Sequence, residues 1–250
     1  MKTSILPGFA FRRHLAAIVL LTAVLFAPMA LLRATPVSPW TIQQGAPSGL
    51  TTASPLLPVN STAYALLPKI YRLAQAGDEL VLTAKVTFRF AEAPGGGQFR
   101  FGLFSPIGDD IADTRDWAGY TIIAGGTRRA ASHEIWSRTG GGWAGGKGAV
   151  KLGTKATVRN LDALYEKNDT VIYTLTLTLK KTGRGTFVTW TLKDAANDDT
   201  AYSVEQGVID TAETPPSIFD RVAFTAANGL RGSVQLADVD VTFTSAAPSL

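Results

Sequence analysis

The chain has 250 residues, with 24 basic and 20 acidic side chains, a formal net charge of +4 and no cysteine. The missing thiols exclude disulfides, thiol nucleophiles, zinc–thiolate sites and iron–sulfur clusters. The charge surplus belongs to the N-terminus: residues 1–34 hold Lys2, Arg12, Arg13 and Arg33 and no acidic group, leaving 20 basic against 20 acidic residues beyond them. A nucleic-acid partner needs a concentrated basic surface, which this balance does not supply, and net charge favours no partner of either sign.

The first element is a leader. Lys2, Arg12, Arg13 and His14 precede an apolar run from Leu15 to Leu32, broken late by Pro28 and followed by small residues at Ala30 and Ala34. This is the layout of a secretory signal peptide, with cleavage expected after Ala34. The alternative is a retained anchor, since about 18 apolar residues can just span a bilayer; that is the one membrane contact the sequence suggests. Residues 35–60, rich in Pro, Ser, Thr and Gly, read as a linker or an edge segment. Residues 61–250 then read as one domain, large enough to bury a core without disulfide staples.

Strands follow. From Leu80 to Phe90, Leu80, Leu82, Ala84, Val86, Phe88 and Phe90 alternate with Val81, Thr83, Lys85, Thr87 and Arg89, the period-two pattern of a half-buried strand. After a Gly-rich turn at 93–97, Phe99, Phe101 and Leu103 mark the next strand, and Trp117 to Ala124 another. Trp117 and Tyr120 stand three apart and face opposite sides, so a strand with one wet face would make only one of them core. Val171 to Lys193 reads as an antiparallel hairpin turning at 182–185, with Val188, Trp190 and Leu192 inward. Phe219–Thr225 and Val234–Phe243 complete the set. In the last, the apolar phase slips by one residue, which predicts a β-bulge near Ala237-Asp238. One short helix is expected over Leu161–Lys167. Many short strands with Gly-rich turns indicate an all-β, two-sheet antiparallel sandwich.

The order of the motifs LAQAGDELVLTAKVTF (73–88), FRFGLF (99–104), WAGYTI (117–122), TLTLTLKKTG (174–183), FDRVAF (219–224) and VQLADVDVTF (234–243) resembles exported bacterial domains of the concanavalin A-like lectin/glucanase superfamily, including laminin-G-like jelly rolls. The resemblance implies two curved sheets with a concave face that often holds glycans. The Glu-x-Asp-x-(x)-Glu strand of the superfamily's glucanases is not present: Glu79, Glu92, Glu134, Glu166, Glu205 and Glu213 form no such cluster. Nor are the arginine-rich, Gln-x-His and Tyr-Phe-Lys motifs of jelly-roll alginate lyases.

Three groups of residues can carry chemistry. Asp109, Asp110, Asp113 and Asp116 have the density of a Ca²⁺-wrapping loop, though without the glycine and terminal glutamate of an EF-hand and with Arg115 among them. Trp136 and Trp143 flank a Gly-rich loop and, with Trp117, Tyr120 and Arg138, form the candidate ligand-binding set, because aromatic faces stack on the C–H faces of sugars. His133-Glu134 is the remaining acid/base pair, but adjacent strand residues point to opposite faces. The sequence therefore suggests a non-catalytic module for glycans or cell-surface polysaccharide, secreted, periplasmic or on the surface of a bacterium, needing no cofactor beyond a possible Ca²⁺. No catalytic set is identified. The alternatives are a divergent polysaccharide hydrolase or lyase using Glu134, His133 or Asp116, and a structural matrix protein assembling through sheet edges.

Overall fold

Period-two apolar patterning builds strands throughout the computed structural model, which describes residues 34–43, 55–90, 97–107, 116–125, 133–139, 150–153, 155–160, 169–227 and 229–246. The leader, the expected helix at 161–167, Trp143, Asp109, Asp110 and Asp113 lie outside the described residues. Among the described residues there is no α-helix.

The strands in chain order are β1 (Thr35–Pro36), β2 (Trp40–Gln43), β3 (Leu56–Leu57), β4 (Ser61–Arg72), β5 (Glu79–Phe90), β6 (Gln98–Pro106), β7 (Trp117–Gly125), β8 (Glu134–Thr139), β9 (Val150–Leu152), β10 (Thr157–Arg159), β11 (Tyr173–Thr182), β12 (Gly185–Asp194), β13 (Ser203–Asp210), β14 (Ile218–Ala226) and β15 (Gly232–Thr244). They form two antiparallel sheets. One runs β1-β15-β5-β11-β12-β13-β10, with β3 also on β15; the other runs β2-β4-β14-β6-β7-β8-β9. The 35–60 segment thus supplies short strands at sheet edges.

The two inner faces share one core. Leu80, Leu82, Val86 and Phe88 of β5, Leu175 to Leu179 of β11, and Val188, Trp190 and Leu192 of β12 meet Phe99, Phe101 and Leu103 of β6 and Val222 and Phe224 of β14. Rings interlock across the gap: Phe101 lies edge-on to Trp190 at 5.6 Å, and Phe88 edge-on to Phe99 at 5.5 Å, the arrangement that aromatic quadrupoles favour. The register of β15 against β5 slips between Ala237 and Asp240. Asp238 there has a φ of +48°, so the expected bulge is present and uses a residue type that tolerates the left-handed region.

Polar groups also cross the core. Asp210 of β13, buried, accepts the Tyr120 hydroxyl at 3.0 Å and the Ser137 hydroxyl at 2.8 Å from the opposite sheet, and the Ala212 N–H at 3.0 Å. Burial, followed by the charge of Asp210, holds the Tyr120 phenol well above its ordinary range, so it stays a donor. His133 is a second crossing: its Nε2 bonds the Tyr202 hydroxyl at 2.7 Å and its ring stacks on Trp190 at 6.0 Å. A histidine so placed packs between the sheets and does not reach the surface where Glu134 stands.

Candidate functional site

The outer face of the seven-stranded sheet gathers Trp117, Glu134, Trp136 and Arg138 of the residues singled out in the sequence. Registers place them in rows across the strands. One row runs Tyr64, Ala223, Gly102, Thr121, Trp136 and Lys151. Beside it lie Thr62, Thr225, Arg100, Ile123 and Glu134, and on the other flank Leu66, Arg221, Phe104, Gly119 and Arg138.

This face has its own apolar patch of Phe104, Trp117 and Ala223, with Tyr64 packed against it. Glycines create the room. A Cβ on Gly102 would lie 2.6 Å from Cζ of Phe104, and one on Gly119, whose φ is +148°, would run into the Leu103 carbonyl and the Phe104 backbone. The Phe104 ring can therefore settle against the sheet. The Trp117 ring meets Phe104 at 5.9 Å and reaches Tyr64 edge-on at 5.2 Å. Two cations cover the patch: the Arg221 guanidinium lies 4.7 Å from the Trp117 ring centroid and that of Arg138 5.7 Å from Phe104. Arg221 also forks onto Asp220, at 2.7 and 3.0 Å. The register slip between Phe219 and Arg221 brings these chain neighbours together. Burial pulls the Arg138 guanidinium down to about 10, still protonated at neutral pH.

Both Trp117 and Tyr120 are buried, contrary to the expectation that only one of them would be core. β7 sits inside its sheet, and its outer positions Trp117, Thr121 and Ile123 are as inaccessible as the inner Tyr120 and Ile122. Arg138 is likewise 0% exposed. The described part of the expected contact set with open surface is thus Trp136. It stands not in a loop but on β8, where its partners are fixed by register.

Trp136 is half-buried, and its indole N–H donates to Oε2 of Glu134 at 2.8 Å, two residues back on the same face. The other carboxylate oxygen, Oε1, takes Lys151 Nζ of β9 at 2.7 Å. Arg100 stands on β6, two strands in from β8, and bonds Gln98 Oε1 at 2.9 Å. Its guanidinium is lowered by burial and raised by the charge of Glu134. The result is an aromatic ring held edge-on to a carboxylate, with a half-exposed ammonium on one side and a guanidinium on the other. Sequence reasoning missed Lys151, Arg100 and the Thr62–Thr225 hydroxyl pair (2.8 Å); each enters the face by strand register across 17 to 163 residues of chain, for which one sequence carries no signal.

Of the acidic loop, Asp116 is described and exposed. Among the described residues no three His, Cys, Asp or Glu side chains converge as metal ligands.

No protein-family model matches the chain, and no curated protein matches it by sequence. Solved structures similar to it include a Bauhinia forficata lectin in complex with GalNAc, at 14% identity and a TM-score of 0.48 over 82% of this chain and 93% of that one. A legume lectin-like domain from Entamoeba histolytica is similar at 11% identity and a TM-score of 0.48 over 83% and 90%. Metal-free lectin I-B4 from Griffonia simplicifolia is similar at 10% identity and 0.46 over 86% and 91%.

Proposed function

We propose that this chain is an exported, non-catalytic module that binds a glycan on the outer face of its seven-stranded sheet, with Trp136 as the platform. The observation that carries this reading is the fixed indole. With Glu134 holding its N–H and Lys151 holding Glu134, the ring needs no ordering when ligand arrives, which removes part of the cost of binding. A pyranose presents a C–H face to such a ring and hydroxyls at its rim. Lys151, beside the ring in register, would offer a donor to rim hydroxyls, and Arg100 and Gln98, two strands in, would meet the next sugar units.

Intrinsic fluorescence titrated with a polysaccharide panel tests it. One glycan class is expected to give a saturable shift, and Trp136→Ala to weaken binding at least tenfold, roughly 1.4 kcal/mol, with the melting temperature kept. Retained affinity in that variant refutes the platform. Running the titration with and without EDTA assigns or dismisses a Ca²⁺ role for the 109–116 loop. Release of reducing or unsaturated ends from the bound polysaccharide would instead favour a hydrolase or lyase built on Glu134. Export is read from the N-terminus of the secreted product, which is expected to begin at Thr35.

A further inference from the structure

The outer face of the eight-stranded sheet carries a groove that uses none of these residues. Register aligns Thr83, Thr176, Thr191 and Glu205 in one row across β5, β11, β12 and β13, and Thr178, Thr189 and Gly207 in the next. Gly207 is the gap in the second row. A Cβ there would come within 2.9 Å of the Thr189 methyl and 3.4 Å of the Phe187 ring, and without it a trough of about 390 Å³ opens over Thr189 and Thr191. Phe187 walls one end and is 38% exposed. Glu205, paired with Lys193 at 3.3 Å, closes the other. Glu205 also lines a second recess of about 310 Å³, which continues past Lys193 and Arg159 to the 194–201 loop. From Ser203 to Gly207 the lining follows β13 for four strand steps, about 13 Å.

We propose that this groove is a second glycan site, which takes an extended, uncharged hexose chain. Phe187 offers a ring for a sugar C–H face, and Thr189, Thr191, Lys193 and Glu205 offer donors and acceptors in line along one strand pair. Charge selects against a polyanion. The recess holds Arg159 and Lys193 against Asp194, Asp198, Asp199 and Glu205, and like-charge juxtaposition penalises an acidic ligand. The inference rests on the carbohydrate reading above but not on Trp136. With a site on each face of the sandwich, one chain would hold two polysaccharide strands.

Calorimetry separates the two sites. Cellohexaose, laminarihexaose and mannohexaose are titrated into the purified chain and into Trp136→Ala, Phe187→Ala, Gly207→Leu and the double variant Trp136→Ala/Phe187→Ala, with hexagalacturonate as the polyanionic control. At least one neutral hexamer is expected to lose one of its two sites in Trp136→Ala, to keep binding there at the other at least tenfold more weakly than the parent does, and to lose a further tenfold or more when Phe187→Ala is added. Gly207→Leu, which fills the trough, reproduces that loss while melting like its parent, and hexagalacturonate shows no dependence on Phe187. The groove is overturned if Trp136→Ala removes all binding, if neither groove substitution matters, if no neutral hexamer binds, or if sedimentation shows a dimer that Phe187→Ala dissolves. Binding lost in Phe187→Ala but untouched in Trp136→Ala would refute the platform and leave the groove standing.

Discussion

Replacing Asp210 with alanine should cost far more than one ordinary hydrogen bond. The carboxylate accepts Tyr120 and Ser137 from the facing sheet at 3.0 and 2.8 Å, and all three residues are buried. Truncation leaves two hydroxyls in the core without this acceptor, at about 1–3 kcal/mol each, so about 4 kcal/mol in all. For a domain of this size that is a fall in melting temperature of roughly 8–16 °C. The assay is thermal unfolding by circular dichroism for D210A, Y120F, S137A and their combinations. If the bridge is the cause, removing the hydroxyls in the D210A background restores much of the loss, because apolar replacement on both sides of a buried bond is nearly neutral. A coupling energy above about 1 kcal/mol between D210A and Y120F is expected. Additivity within about 0.5 kcal/mol would refute the reasoning and place the effect in β13 itself.

Asp78 provides the acid-dependent counterpart. It is buried and accepts N–H groups from Ala74, Gln75 and Ala246 at 2.8–2.9 Å, and the Gln75 bond leads in holding its carboxyl below the usual range. A depressed folded value contributes stability that is complete above the unfolded value of about 3.9 and disappears as pH falls through the folded one. Asp78→Asn should therefore lower the melting temperature at pH 7 and converge with the parent in strong acid; a gap unchanged at pH 2 would contradict this. Gly119→Ala combines a strained φ with a clash on the Leu103 carbonyl and should cost about 2–5 kcal/mol in denaturant unfolding; an unchanged midpoint would mean that Phe104 and its strand yield easily. Glu134→Gln should loosen Trp136 without moving it, weakening glycan affinity while the sandwich melts as before.

How much of this could be read in advance depended on which strands carry an unbroken pattern. β5 and the β11–β12 hairpin alternate without interruption and appear where the sequence places them. The bulge in β15 was legible because a one-residue slip inverts every later side chain. β4 was not. Its inner residues include the small Ala63 and Ala65, and its pairing to β14 jumps from Tyr71 to Leu66 around Pro68, a residue a sheet accepts at a bulge. β13 hides behind Gln206, a polar residue turned inward because it accepts the Trp190 indole N–H at 3.0 Å. β8 was masked by the glycines that follow it, so Trp136 read as a loop residue. At the site, the aromatic residues were visible as types, but their partition was not. Whether Trp117 or Trp136 meets solvent depends on what lies on both faces of β7 and β8, and local alternation reports neither face.

That partition bears on what the face can recognise. Arg138 and Arg221 are spent on the Phe104 and Trp117 rings, and Arg221 on Asp220 as well; both are buried. They make the face cationic in composition without offering that charge to a ligand. Cations stacked on aromatic rings gain most where water is excluded, so drawing either out toward an anionic sugar would sacrifice its ring contact. Selection at this face then falls to the Glu134–Lys151 pair and Arg100, where one carboxylate is already balanced by the ammonium on it. Such a balanced rim discriminates by hydroxyl geometry rather than by charge. Replacing Lys151 with methionine tests the point. It keeps the chain's apolar bulk but frees Oε1 of Glu134, and should change which sugar epimer is preferred more than it changes the salt dependence of binding. A steep new salt dependence in that variant would show that charge, not hydroxyl placement, governs recognition here.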